Sequence, residues 1–331
     1  MPSQMLDDVL ALPDQLRDAL WRVESARLEA VPSSGLLACG MGGSAIGGDL
    51  AAAALGDRLA LPMATVRDYR LPGWATEESG VLCSSYSGDT EETLSCFEAA
   101  TRLGAPRIVA ATGGALVERA REEGVPVVGL PGILQPRAAV AYMFVVAAEA
   151  AALFGVAPRI AEEVEAAAEF LEQARDDARR RAAEVASGIE GTVPVFCGAG
   201  TTAPVARRCK TQVNENAKLP AFFSELPEAD HNEICGWEGA AAKTSPLSVV
   251  MLEDPAGPDR VRRRFELTGD SISAAGTEVV RVEAQGGSAV ERLLWTVMLG
   301  DLVSLSLAEA RGVDPLAVDA LDSLKQALAR P

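Results

Sequence analysis

The sequence predicts an α/β protein with two mainly parallel sheets, each covered by helices on both faces in a three-layer αβα arrangement. Three observations predict it. Short apolar runs alternate with helix-period segments along the whole chain. The runs are too short for helices and near-continuously apolar, as strands buried on both faces are. The stretch Gly35-Leu36-Leu37-Ala38-Cys39-Gly40-Met41-Gly42 is also echoed by Val193-Pro194-Val195-Phe196-Cys197-Gly198-Ala199-Gly200. Ser44-Ala45 follows the first copy and Thr201-Thr202-Ala203 the second, so a strand–glycine–helix unit occurs twice.

In chain order, about the first 30 residues read as helix packed on the core. Strand-like runs follow at 36–39, 63–66, 81–83, 107–111 and 125–130. The apolar stretch 138–154 is interrupted by Glu149 and is short for a membrane span, so it reads as a buried helix. Residues 159–187, rich in Glu, Ala and Arg, form a long helix with a solvated face that links two domains, 1–155 and 156–331. The second half has strand-like runs at 193–197, 247–252 and 278–282, and about the last 17 residues are again helical.

Composition narrows the function. The 331 residues are 48% hydrophobic, enough for one large core or two medium ones. The formal net charge of −17 argues against nucleic acid and anionic membrane surfaces. No N-terminal signal pattern is read, because Asp7 and Asp8 fall within the first ten residues. None of the six cysteines forms a CxxC pair, and Cys39, Cys83 and Cys197 end apolar runs as small buried residues do. The expectation is a cytoplasmic protein with reduced thiols. One histidine and no acidic cluster of metal-ligand spacing lead us to expect no metal.

Ser84-Ser85-Tyr86-Ser87-Gly88-Asp89-Thr90 carries the strongest chemical signal. It lies between an apolar run and an amphipathic segment with Leu94, Phe97, Ala100 and Leu103, so its hydroxyls gather where a strand passes into a helix. A helix start has unpaired N–H groups and partial positive charge, which suit a phosphate. The GxxxxGK[ST] spacing of a nucleoside-triphosphate loop is missing, which leaves a small phosphorylated metabolite, most plausibly a sugar phosphate. Gly40-Met41-Gly42-Gly43-Ser44-Ala45-Ile46-Gly47-Gly48 is either a tight strand–helix turn or a second ligand loop. A dinucleotide fold competes, but no acidic residue ends the 63–66 run and the hydroxyl loop would then be surplus.

Other residues carry two readings each. Arg137, before the 138–154 helix, opposes a helix dipole unless it meets an anion, and is otherwise a surface arginine. Glu215, in Asn214-Glu215-Asn216-Ala217-Lys218, is a solvated carboxylate or a base. His231 lies in a polar stretch after the 219–223 run, as a surface residue or as an acid/base of the one side-chain type that ordinarily titrates near neutrality. Lys325 is a helix-end cation unless drawn into a site.

Five segments in order resemble the bifunctional phosphoglucose/phosphomannose isomerase family: Cys39-Gly40-Met41-Gly42-Gly43-Ser44, the 85–93 loop, Gln135-Pro136-Arg137-Ala138-Ala139, the 214–218 motif, and Glu228-Ala229-Asp230-His231-Asn232-Glu233. Asp314, Pro315, Leu324 and Lys325 extend the resemblance to nearly the whole chain. It implies two sugar-isomerase (SIS) domains, the first with a leading helix and the second with terminal helices. It implies interconversion of glucose 6-phosphate or mannose 6-phosphate with fructose 6-phosphate through a cis-enediolate, without metal or redox cofactor. Gly42, Gly43, Ser44, Ser85, Ser87 and Thr90 would hold the phosphate and Glu215 would be the base. Arg137 would be its electrostatic partner, and His231 and Lys325 the ring-opening groups. The histidine is expected from the neighbouring subunit of a homodimer. Asp89 stands where many relatives have asparagine, and its carboxylate would repel a phosphate unless it points away or caps a helix. A non-catalytic sugar-phosphate sensor and the isomerase half of an amino-sugar synthase are the competing readings. The first lacks a basic effector segment. The second lacks an N-terminal cysteine, since the sequence starts Met1-Pro2-Ser3.

Overall fold

The computed structural model describes residues 4–237, 239 and 247–328. Helices α1 (Gln4–Leu10) and α2 (Leu12–Ser25) lead into the first sheet. Its strands are β1 (Leu36–Cys39), β2 (Met63–Val66), β3 (Gly80–Ser84), β4 (Arg107–Ala111) and β5 (Val127–Gly129). They are connected by α3 (Gly42–Leu55), α4 (Glu91–Leu103) and α5 (Gly114–Glu122), and α6 (Val140–Leu153) follows. The long α7 (Ala161–Gly188) then leads to the second sheet.

That sheet comprises β6 (Val193–Gly198), β7 (Phe222–Glu225), β8 (Leu247–Glu253) and β9 (Glu278–Glu283). Its helices are α8 (Ala203–Asn216), the one-turn α9 (Ile234–Trp237), α10 (Asp259–Ala274), α11 (Ala289–Ala310) and α12 (Asp319–Leu328).

Among the described residues every strand pairing is parallel, in the orders β2-β1-β3-β4-β5 and β7-β6-β8-β9. The sheets repeat one plan, with β6, β7, β8 and β9 corresponding to β1, β2, β3 and β4. β7 is the element missing from the sequence reading, which treats 219–223 only as an apolar run. It lies at a sheet edge with Phe222 exposed, so it lacks the continuous apolar run of a central strand.

Apolar burial holds three layers in each half. Phe97 and Leu116 of α4 and α5 cover one face of the first sheet, against Leu37, Val81 and Val109. Phe265 and Ile272 of α10 cover the outer face of the second sheet, against Val249 and Met251. Between the sheets, α2, α3, α6, α7, α8 and α11 share one continuous core that includes Leu50, Phe144, Leu171, Val213 and Leu294. A Cβ on Gly47 would fall 2.5 Å from the main-chain carbonyl carbon of Met143, so only glycine permits α3 and α6 this approach. Helix α6 is buried throughout its first three turns, as expected for 138–154. Helix α11 is long and apolar enough to cross a membrane by those criteria, yet 78% of its most apolar window is buried inside the fold.

Candidate active site

In parallel sheets, ligands bind beyond the carboxyl ends of strands where successive connections leave in opposite directions. The first sheet has this point between β1 and β3. Helix α3 starts there after β1, and the hydroxyl loop leaves β3 for α4. Met41 and Thr90 occupy the N-cap positions of these helices, and neither provides a side-chain cap. Two helix starts with uncapped N–H groups therefore flank one crevice, the arrangement that holds an anion.

The predicted hydroxyls gather at this crevice. Ser85 Oγ lies 2.8 Å from Thr90 Oγ1 and accepts from Gly88 N at 3.0 Å. Ser87 is exposed, with its Oγ 3.3 Å from Asp89 N. Ser44, in the first turn of α3, accepts from Tyr86 N at 3.3 Å and ties the two loops together. The glycine-rich stretch is thus not a loop beyond Met41, since Gly42 to Gly48 form the first turns of a helix. Asp89 Oδ1 accepts from Ala115 N at 2.9 Å at the start of α5. The carboxylate thus has a donor of its own at a helix start, one of the two placements that the sequence reading allowed for it.

Arg137 stands beside the crevice. It lies in a 3-10 turn, Pro136–Ala138, just before α6, and is 5% exposed, so the surface-arginine reading fails. A Cβ on Gly43 would be 3.1 Å from Pro136 O, which brings the start of α3 directly against this turn. Arg137 Nη1 is 3.8 Å from Glu215 Oε2, near the end of α8, and Glu215 is partly exposed. Arg137 Nε donates to Asn216 Oδ1 at 2.7 Å, and Nη2 donates to the Pro315 carbonyl. Burial pulls the guanidinium below the ordinary arginine range, and the Glu215 charge opposes that pull. An arginine still carries its charge at any physiological pH.

His231 and Lys325 are elsewhere in the chain's own geometry. His231 is exposed, in the 3-10 turn Glu228–His231 that follows β7. Its neighbour Asp230 anchors that turn to α10 through Arg264 Nη1 and Thr268 Oγ1, each at 2.7 Å. Lys325 is exposed on α12, whose first residue, Asp319, is near enough to act on the charge of Lys218. Among the described residues, neither His231 nor Lys325 has a hydrogen bond or ion pair with the Ser44, Arg137 and Glu215 group.

Lys218 belongs to the 214–218 motif but has no role in the sequence reading. This residue has φ +53, follows the Ala217 C-cap of α8, and donates to the Glu215 carbonyl. Desolvation first, and the Arg137 charge second, lower its amine's hold on a proton. A lysine closing a helix after Glu215 is the signal that could have singled it out.

The second sheet has the same kind of point between β6 and β8. Asp254 takes up that position: Thr201 Oγ1 donates to its Oδ2 at 2.6 Å and Arg292 Nε donates to its Oδ1 at 2.8 Å. The carboxylate occupies these donors at the second sheet.

Two parallel three-layer halves are the architecture of the sugar-isomerase (SIS) class of protein, and comparison with known proteins places the chain in that class. The family model for the bacterial phospho-glucose isomerase C-terminal SIS domain matches residues 178–328. The C-terminal domain of glucosamine-fructose-6-phosphate aminotransferase from Francisella tularensis shares the fold, with a TM-score of 0.72 over 94% of this chain and 97% of that one, at 13% identity. The bifunctional phosphoglucose/phosphomannose isomerase of Aquifex aeolicus (strain VF5) is 36% identical over 306 residues, covering 92% of this chain and 93% of its own. Its counterpart in Caldicellulosiruptor bescii is 34% identical over 335 residues, covering 98% and 99%. The chain belongs to the bifunctional phosphoglucose/phosphomannose isomerase family.

Proposed function

We propose that this aldose–ketose isomerase interconverts glucose 6-phosphate and mannose 6-phosphate with fructose 6-phosphate through a cis-enediolate. The observation that carries the reading is the Arg137–Glu215 pair beside the hydroxyl-lined crevice. Ser44, Ser85, Ser87 and Thr90, with the α3 start at Gly42 and Gly43, hold the phosphate. That grip supplies binding energy far from the reacting carbons and orients them. Glu215 removes the C2 proton of the open-chain aldose and returns it to C1. The fixed positive charge of Arg137 stabilises the negative oxygens of the enediolate without competing for protons. His231 and Lys325 move the protons that open the ring.

His231 reaches the site of a second copy in a homodimer. Its exposure on an anchored turn supports this reading, as does the exposed stripe of Leu321, Leu324 and Leu328 on α12. The two domains divide near residue 155, and the enzyme works in the cytoplasm on soluble sugar phosphates. Glucose and mannose phosphates differ only at C2, and a planar enediolate is common to both. Protonation of either face at C2 then gives either aldose.

The experiment runs fructose 6-phosphate to equilibrium with the protein in deuterium oxide. Solvent deuterium is expected on C2 of both aldose products. Products that remain unlabelled after many turnovers would indicate direct hydride transfer and contradict the enediolate.

A further inference from the structure

Arg137 is held almost entirely by neutral partners. Its Nε donates to the Asn216 amide oxygen at 2.7 Å and its Nη2 to the Pro315 carbonyl, leaving Nη1 toward Glu215 at 3.8 Å. Arginine can only donate, so Asn216 must present Oδ1 to it. The amide orientation is then forced: Nδ2 donates to Ser304 Oγ at 2.9 Å, and that hydroxyl donates to the Asp301 carbonyl at 2.6 Å.

The buried carboxylate of Asp301 is engaged by other donors. Arg208 grips Asp301 with Nε at 2.9 Å and Nη2 at 2.7 Å, and Gln212 Nε2 adds a bond at 2.9 Å. Arg208 Nη2 also donates to the main-chain carbonyl of Arg137 at 2.8 Å. Asn216, Ser304, Gln212, Arg208 and Asp301 are each at most 3% exposed. In a buried interior, a hydrogen-bonded network of this kind restricts its side chains to few arrangements.

We propose that Asn216, backed by Ser304, Asp301 and Arg208, is the positioning device that sets the rotation of Arg137 and keeps its charge undiminished. The amide fixes the guanidinium so that Nη1 faces Glu215 and the reacting carbons. A carboxylate at 216 would hold the same nitrogen but offset the charge that stabilises the enediolate. The inference rests on the role given to Arg137 above, and it extends that role to residues that need not touch substrate.

A double-mutant cycle tests it, with kcat and KM measured on fructose 6-phosphate. Asn216→Ala is expected to lower kcat about 10- to 100-fold with KM within about two-fold, the pattern of an effect confined to the transition state. Asn216→Asp should also lose kcat although it can retain the bond to Nε. In an Arg137→Ala background, Asn216→Ala should cost less than about two-fold, because the group it positions is gone.

Equal losses in both backgrounds would overturn the inference and leave the role of Arg137 standing. Full kcat in Arg137→Ala alone would overturn that role and the inference together. If Asn216→Ala does not fold, Ser304→Ala carries the same test through the next bond. A loss of kcat that vanishes without Arg137 supports the inference, and one that persists overturns it.

Discussion

Glu215→Gln is expected to lower kcat roughly 10²- to 10⁴-fold, the usual worth of a positioned general base, with KM little changed. Glutamine preserves the shape of the side chain on α8 but cannot accept the C2 proton. Arg137 Nη1 sits 3.8 Å from the carboxylate, a distance that leaves Glu215 outside a tight hydrogen-bonded pair. The proposed base therefore keeps acceptor capacity for the substrate proton. The same variant also tests the proposed homodimer. Glu215→Gln and His231→Ala chains, each nearly inactive alone, should regain about a quarter of wild-type activity when co-expressed in equal amounts, since about half of the dimers are then mixed and each mixed dimer has one of its two sites intact. Activity no greater than the sum of the separate variants would place His231 in the same chain's site.

Asp301→Ala is expected to destabilise the fold by about 3–5 kcal/mol, since it strands the Arg208 guanidinium without its carboxylate. Arg208 is 2% exposed and bonds Asp301 through two nitrogens, so bulk solvent does not reach the guanidinium to replace the lost partner. Arg208→Met combined with Asp301→Leu should melt above either single variant, because the double replacement leaves no buried charge unpaired. Thermal unfolding followed by circular dichroism ranks the three. A double variant that melts below both singles would show that the pair itself, and not its completeness, stabilises the core.

Much of the fold was legible because parallel strands covered on both faces must be apolar along their length, as in β1 and β3. The repeat of the 35–42 segment at 193–200 carried the two-sheet plan. It also held the missing strand: a copy of the first sheet requires an element between β6 and β8, and Phe222–Glu225 fills it. The edge position obscured β7, since one side of an edge strand has no neighbour to bury it.

Within the site, the hydroxyl loop was readable because its residues lie next to one another in sequence and share one helix start. Arg137 was ambiguous because only the tertiary fold sets Asn216, Pro315 and Glu215 around it. Asn216 and Ser304 are far apart in the chain, and neither has a periodic or compositional signature. The outcome for Asp89 depended on a contact with Ala115 that no local pattern encodes.

The central claim is an isomerase with both specificities. EDTA-treated protein is incubated with fructose 6-phosphate, and glucose 6-phosphate and mannose 6-phosphate are followed separately, with Glu215→Gln as the control. Formation of both products by the native chain, and of neither above background by the control, is the predicted result. Tight binding of fructose 6-phosphate without either product would contradict the account and leave a sugar-phosphate-binding protein in its place.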